Sequence, residues 1–123
     1  MNEIAFGKRI ALMASQLGHR IFRCNRGEGW IGKATFFTES AKVEVYPGDV
    51  VIRKAKRIQF GLCNGNGDYI GFSSTGRFIS LELKTETGKI RPEQEAFAEA
   101  VRRSGGIAGI VRDEESAFDV LSS

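Results

Sequence analysis

The segment Ile79-Ser80-Leu81-Glu82-Leu83-Lys84 constrains this chain more than any other, because its apolar and polar residues alternate without a break. A period of two marks a strand with one buried face. Ile79, Leu81 and Leu83 then point to one side, and Ser80, Glu82 and Lys84 to the other. Turn chemistry at Ser74-Thr75-Gly76 separates this strand from the run Asp68 to Ser73, so the two are expected to pair as an antiparallel hairpin. Such pairing brings Asp68, at the start of the first strand, near Glu82 or Lys84, towards the end of the second.

Two carboxylates held close raise each other's proton affinity, and a cation between them relieves the repulsion. Hard oxygen donors suit magnesium or manganese, which can also touch a phosphate oxygen and lower the pKa of a bound water. Lys84 would then orient or deprotonate that water, or neutralise charge developing in the transition state. Glu-x-Lys taken alone means no more than a solvated charge face. The residues on both sides of it change that reading.

Gly67-Asp68-Tyr69-Ile70-Gly71, the run Gly76-Arg77-Phe78-Ile79-Ser80-Leu81-Glu82-Leu83-Lys84-Thr85, Gly88-Lys89-Ile90, Pro92-Glu93-Gln94 and Gly105-Gly106-Ile107-Ala108-Gly109 together resemble the VRR-NUC domain. That is the virus-type replication-repair nuclease branch of the PD-(D/E)XK superfamily. The resemblance covers the second half of the chain and, more weakly, its first helix. It implies an α/β fold with a restriction-endonuclease-like α-β-β-β-α-β core, a mixed sheet flanked by helices. It also implies a magnesium-dependent or manganese-dependent DNA endonuclease that hydrolyses phosphodiester bonds. Asp68, Glu82 and the backbone carbonyl of Leu83 would hold the metal, and Lys84 would assist the nucleophile. Gln94 matches the family's glutamine on the following helix, and Glu3 the acid on its first helix. Stand-alone phage members are small and homodimeric and are associated with replication and repair, which implies branched or junction DNA as substrate. Gly67 stands where the family more often has a small hydroxyl residue or alanine, a departure expected to cost little because all are small.

At 123 residues and 41% hydrophobic content the chain is expected to form one domain over 1–123. A net charge of +3 gives only a mild preference for anions, so the distribution of charge matters more. Basic residues cluster at Arg20, Arg23 and Arg26, at Arg53, Lys54, Lys56 and Arg57, and at Lys84, Lys89 and Arg91. Arg53, Lys54, Lys56, Arg57, Lys89 and Arg91 are the candidate nucleic-acid contacts. A charged amino terminus with Glu3, Lys8 and Arg9, and no long apolar run, argue for a cytoplasmic protein without a leader or membrane span. Cys24 and Cys63 lack neighbours for a zinc site and read as reduced. His19 is the only histidine and reads as structural.

Along the chain, Asn2 can cap a helix from Glu3 that carries Ile4, Ile10, Met13, Ala14 and Leu17 on one stripe and stops at Gly18. Acid in that first turn also suits the helix dipole. A strand is expected over Arg20 to Asn25. The three glycines of Arg26 to Gly32 then suggest a loop, with Trp30 covering the core or stacking on an unpaired base. Val43 to Tyr46 and Val50 to Arg53 read as an inserted β-hairpin about Pro47-Gly48-Asp49, serving as a dimer contact or a clamp over nucleic acid. Ile58 to Leu62 reads as a core strand leading into the turn-rich Cys63 to Gly67. Pro92 opens a helix with Phe97, Ala100 and Val101 on its apolar side and Gly105 as its stop. Ile107 to Val111 is expected to be a parallel strand, and Asp113 to cap a last helix carrying Ala117, Phe118 and Leu121.

Besides a nuclease, these residues are compatible with a catalytically inactive nuclease-fold module that binds nucleic acid. They are also compatible with a metal-dependent hydrolase of another phosphate ester.

Overall fold

The computed structural model describes residues 3–33 and 36–123; the expected cap at Asn2 lies outside them. These residues gather into two compact units, one built from the segments up to Asn25 and from Leu62 to Ser123, the other from Arg26–Gly61.

The larger unit is mixed α/β. Helix α1 (Glu3–Gln16) leads to strand β1 (Arg20–Arg23). After the smaller unit, with its strands β2 (Gly27–Lys33) and β3 (Arg53–Phe60), come β4 (Tyr69–Phe72), β5 (Phe78–Leu83), helix α2 (Pro92–Arg103), β6 (Ile107–Val111) and helix α3 (Glu114–Leu121). Its four-stranded sheet runs in the order β1-β4-β5-β6. The β1–β4 and β4–β5 pairs are antiparallel and β5–β6 is parallel, as the helix preceding β6 requires.

Packing explains why β5 sits at the centre. Ile79, Leu81 and Leu83 meet Phe6, Ile10 and Ala14 of α1 and Ala117 and Leu121 of α3 in one core cluster. On the opposite face Ala98 and Val101 of α2 pack on Ala108 of β6. The strand is thus covered on both sides, and the one-faced reading of its alternation gives way: Ser80 and Glu82 point under α2, not into water.

Helix termini follow local chemistry. Gly18 and Gly105 end α1 and α2 at φ +85° and +91°, values at which a Cβ is strained. Asp113 Oδ1 accepts the Ser116 amide at 2.7 Å and so caps α3. Some stripe residues lie elsewhere than expected. Ile4 and Phe118 are exposed, as is Ala100, while Phe6 and Ala98 take the buried places. His19 is structural, as read: its Nδ1 accepts the Ser74 amide at 3.3 Å and its Nε2 lies 2.9 Å from the Leu121 carbonyl. Because a backbone N–H can only donate, the ring is the Nε2-protonated tautomer.

The smaller unit departs from the sequence reading in three respects. Gly27 to Lys33 is a strand rather than a loop, paired antiparallel with β3. Gly27 is tolerated there because a neighbour takes the place of the missing side chain: a Cβ on it would lie 2.6 Å from the Phe60 ring. Residues 43–46 and 50–53 form no ladder with each other. Only the turn survives, closed by the Asp49 amide on the Tyr46 carbonyl at 2.9 Å and by the Tyr46 amide on Asp49 Oδ2 at 2.8 Å. The strand expected from Ile58 ends at Phe60 and belongs to this ribbon, not to the core sheet. No described residue of Arg26–Gly61 is fully buried. Trp30 does not seal a core; it stands against the Arg57 guanidinium at 5.3 Å and the Phe36 ring at 5.2 Å. Among the described residues no helix is long and apolar enough to cross a membrane.

Candidate active site

The β4–β5 ladder pairs Tyr69 with Leu81, and extending that register by one residue sets Asp68 directly opposite Glu82. Opposed residues of an antiparallel pair share a face. Both acids therefore lie on the side of the sheet that α2 covers. Lys84, two residues on, extends the same face, with Nζ 3.7 Å from Glu82 Oε1.

Each group is held by the backbone or by a buried partner. Asp68 Oδ2 accepts the Leu83 amide at 2.8 Å, and its main-chain carbonyl accepts the Cys24 amide at 2.7 Å. Lys84 is anchored by its amide on the Val111 carbonyl at 3.0 Å, one step beyond the β5–β6 register. Gln94, only 3% exposed, donates from Nε2 to Glu82 Oε1 at 2.6 Å and accepts the Arg91 amide on Oε1 at 2.9 Å. The second bond fixes which end of the carboxamide faces the acid.

Glu82 is 8% exposed, and its carboxyl is pushed up to about 7. Burial is the main cause, followed by the charge of Asp68; Lys84 and Arg91 pull in the other direction. Apolar surroundings with a second acid opposite make the ionised form costly. A carboxyl held near neutrality in this way can either carry a proton or take a cation.

Glu3 lies on the exposed side of α1's first turn and lines a cleft of about 760 Å³ with Leu83, Lys84 and Arg112. Asp68 and Glu82 do not line it. Among the described residues no group of three or more His, Cys, Asp or Glu gathers as a metal-holding set. What converges is a pair of carboxylates, with the Leu83 amide on Asp68 Oδ2. The pair's all-oxygen donor set fits a hard divalent cation and would not suit a soft one.

Of the basic candidates, Arg53, Lys54, Lys56 and Arg57 run along β3 in the smaller unit, and all four are exposed. Arg57 pairs with Glu28. Lys54, at φ 51°, sits at a bulge where Lys33 opposes both Arg53 and Lys54. Lys89 and Arg91 lie in the larger unit just before α2. Arg91 reaches Glu93 at 3.6 Å.

Two buried polar residues at this site escaped the sequence reading. Ser80 Oγ accepts the Gly67 amide at 3.0 Å, and Asn66 Nδ2 donates to the Gly67 carbonyl at 2.8 Å. The available signal was the polar residue at 80 on a strand that proves buried on both faces. Gly67 also carries a correction, because it is not interchangeable with another small residue. A Cβ there would lie 2.5 Å from the Leu81 carbonyl oxygen and 2.7 Å from Ser80 Oγ. No family model, curated protein or solved structure matches this chain.

Proposed function

We propose that this chain is a metal-dependent DNA endonuclease of the PD-(D/E)XK type, related to the VRR-NUC domain, and that its site is Asp68, Glu82 and Lys84. The observation that carries the reading is the burial of Glu82 opposite Asp68, with Lys84 Nζ 3.7 Å from its carboxylate. A carboxyl with no chemistry to perform would be more stable replaced by an apolar side chain. The larger unit, α1-β1-β4-β5-α2-β6-α3, contains the order the resemblance calls for with one helix added, which supports the reading.

Asp68, Glu82 and the Leu83 carbonyl would hold magnesium or manganese, which when bound acidifies a water and withdraws charge from a phosphate oxygen. The chain's own residues do the rest. Glu82 would hold the cation in its ionised form, because a cation beside it would offset the burial and the Asp68 charge that favour its proton. Lys84 places a positive charge beside the acids, where the phosphoryl oxygens gain negative charge as water adds to phosphorus and the bond to the leaving oxygen breaks. Gln94 keeps Glu82 from rotating away, and α2 excludes water from behind it. The products are one hydroxyl end and one phosphate monoester end.

Selectivity for branched DNA and action as a homodimer belong to the same proposal. The smaller unit supports the dimer reading, because Ile31, Val50, Val51, Ile58 and Phe60 are exposed on it and a two-stranded ribbon is marginal alone. The test is a panel of plasmid, branched and single-stranded DNA incubated with magnesium or manganese, with a sedimentation measurement beside it. Cleavage is expected in the wild type and should be lost in Lys84→Ala. Binding without cutting in either metal would make the protein an inactive nuclease-fold module. Hydrolysis of small esters with DNA and RNA left intact would move it to another class of phosphate substrate.

A further inference from the structure

Gly67, the residue before Asp68, is gripped at both of its main-chain polar groups. Its N–H, in the peptide from Asn66, donates to Ser80 Oγ at 3.0 Å. The Gly67 carbonyl, on the next peptide, accepts from Asn66 Nδ2 at 2.8 Å. Asn66 is itself tied down, with Oδ1 accepting the Cys63 amide at 3.2 Å and its own amide on the Cys63 carbonyl at 3.3 Å. Ser80 and Asn66 are 4% and 6% exposed, so neither bond can be exchanged for one to water. Contact is tightened further by the missing side chain at 67, since a Cβ would run into the Leu81 carbonyl. Gly65, at φ +89°, brings the same turn against the Glu93 backbone at the start of α2.

This arrangement has a cost that core packing alone does not explain. Ser80 occupies a position under α2 where an alanine or valine would pack without needing a partner. We infer that Ser80 and Asn66 are positioning residues of the site: together they clamp the Gly67 backbone onto β5 and thereby set where the Asp68 carboxylate stands relative to Glu82. Ser80 and Glu82 project from the same face of one strand, two residues apart. The clamp and the acid it serves are therefore referenced to the same piece of backbone. The Leu83 amide on Asp68 Oδ2 at 2.8 Å completes a three-point hold: Ser80 and Asn66 fix the main chain on either side of the 67 alpha carbon, and Leu83 fixes the carboxylate.

The inference rests on the nuclease reading, in which Asp68 is a metal ligand. It is tested by titrating Mn2+ calorimetrically into the apo proteins, with circular dichroism to check folding and with DNA cleavage followed against Mn2+ concentration. Ser80→Ala should weaken Mn2+ binding by about tenfold, the size expected when a buried hydrogen bond that sets the ligand is lost. The half-saturating Mn2+ for cleavage should rise in step, while the rate at saturating Mn2+ recovers. Ser80→Thr, which keeps the hydroxyl, should restore the affinity. Should Ser80→Ala fail to fold, Ser80→Cys preserves the side-chain volume with a poor acceptor and carries the same expectation. A folded Ser80→Ala or Ser80→Cys protein with wild-type Mn2+ affinity overturns the clamp and leaves the nuclease intact. Failure of Ser80→Thr to restore binding also overturns it, because the effect would then be one of packing. If the wild type itself binds no Mn2+, the nuclease reading and the clamp fall together.

Discussion

Glu82→Gln should make the metal-free protein more stable at alkaline pH, although it removes a residue from the heart of the site. A carboxyl that titrates at about 7 in the folded chain, against 4.5 for the free side chain, binds its proton more tightly folded than unfolded. Between those two values the folded state holds the proton and the unfolded state has lost it. Stability must therefore fall as pH rises through the window and level off above about 7. The gap amounts to about 3 kcal/mol at most, or on the order of 10 °C in Tm for a domain of this size. Asp113 is lowered from its ordinary value by the Ser116 hydrogen bonds. It acts with the opposite sign and below about pH 4, outside the window. Glutamine keeps an oxygen for Gln94 Nε2 but carries no charge, so the variant should lose the slope. Urea unfolding in EDTA at intervals from about pH 5 to about pH 8 reads this directly. With Mn2+ present the order should reverse, because only the wild type gains stability by binding. A wild-type curve that is level or rising across the window in EDTA would refute the burial argument, as would a Glu82→Gln curve that tracks it.

The same carboxyl predicts that Mn2+ binding near pH 7 releases a fraction of a proton and strengthens from about pH 6 to about pH 8. Calorimetry in two buffers of different ionisation enthalpy measures the release; identical apparent enthalpies would speak against it. His19→Leu should cost roughly 1–3 kcal/mol in urea unfolding, since it leaves the Ser74 amide and the Leu121 carbonyl without a side-chain partner. A variant as stable as the wild type would mean that water replaces both bonds.

Much of the larger unit is legible in the sequence, and the reason is local. Between Asp68 and Lys84 the alternation, the Ser74-Thr75-Gly76 turn and the pairing all lie within one short stretch of chain, so the period of two and the turn chemistry report on the same hairpin. Pro92, Gly105 and Asp113 mark helix ends through their own backbone chemistry. The smaller unit was misread because its decisive contacts are distant in sequence. Gly27 to Lys33 looks like a loop until Phe60, more than thirty positions away, lies over Gly27 and fills the gap the glycine leaves. Val43 to Arg53 carries hairpin spacing, but the backbone partners of Arg53 lie on β2 instead. At the site, Asp68, Glu82 and Lys84 stood out because charge on a strand is conspicuous. Ser80 and Asn66 did not, since a serine on an alternating strand and an asparagine in a turn look ordinary until burial is known.

Gln94 has one further consequence. Its carboxamide is a two-headed connector with no symmetry: the oxygen end takes the amide of Arg91, the residue that caps α2, and the nitrogen end takes the acid. Reversing it would break both bonds at once, and a glutamate in its place would present oxygen to oxygen. The opening turn of the helix and the orientation of Glu82 therefore move as one part. Anything that loosens that turn, whether heat, denaturant or a distant substitution, must register at the carboxylate as well.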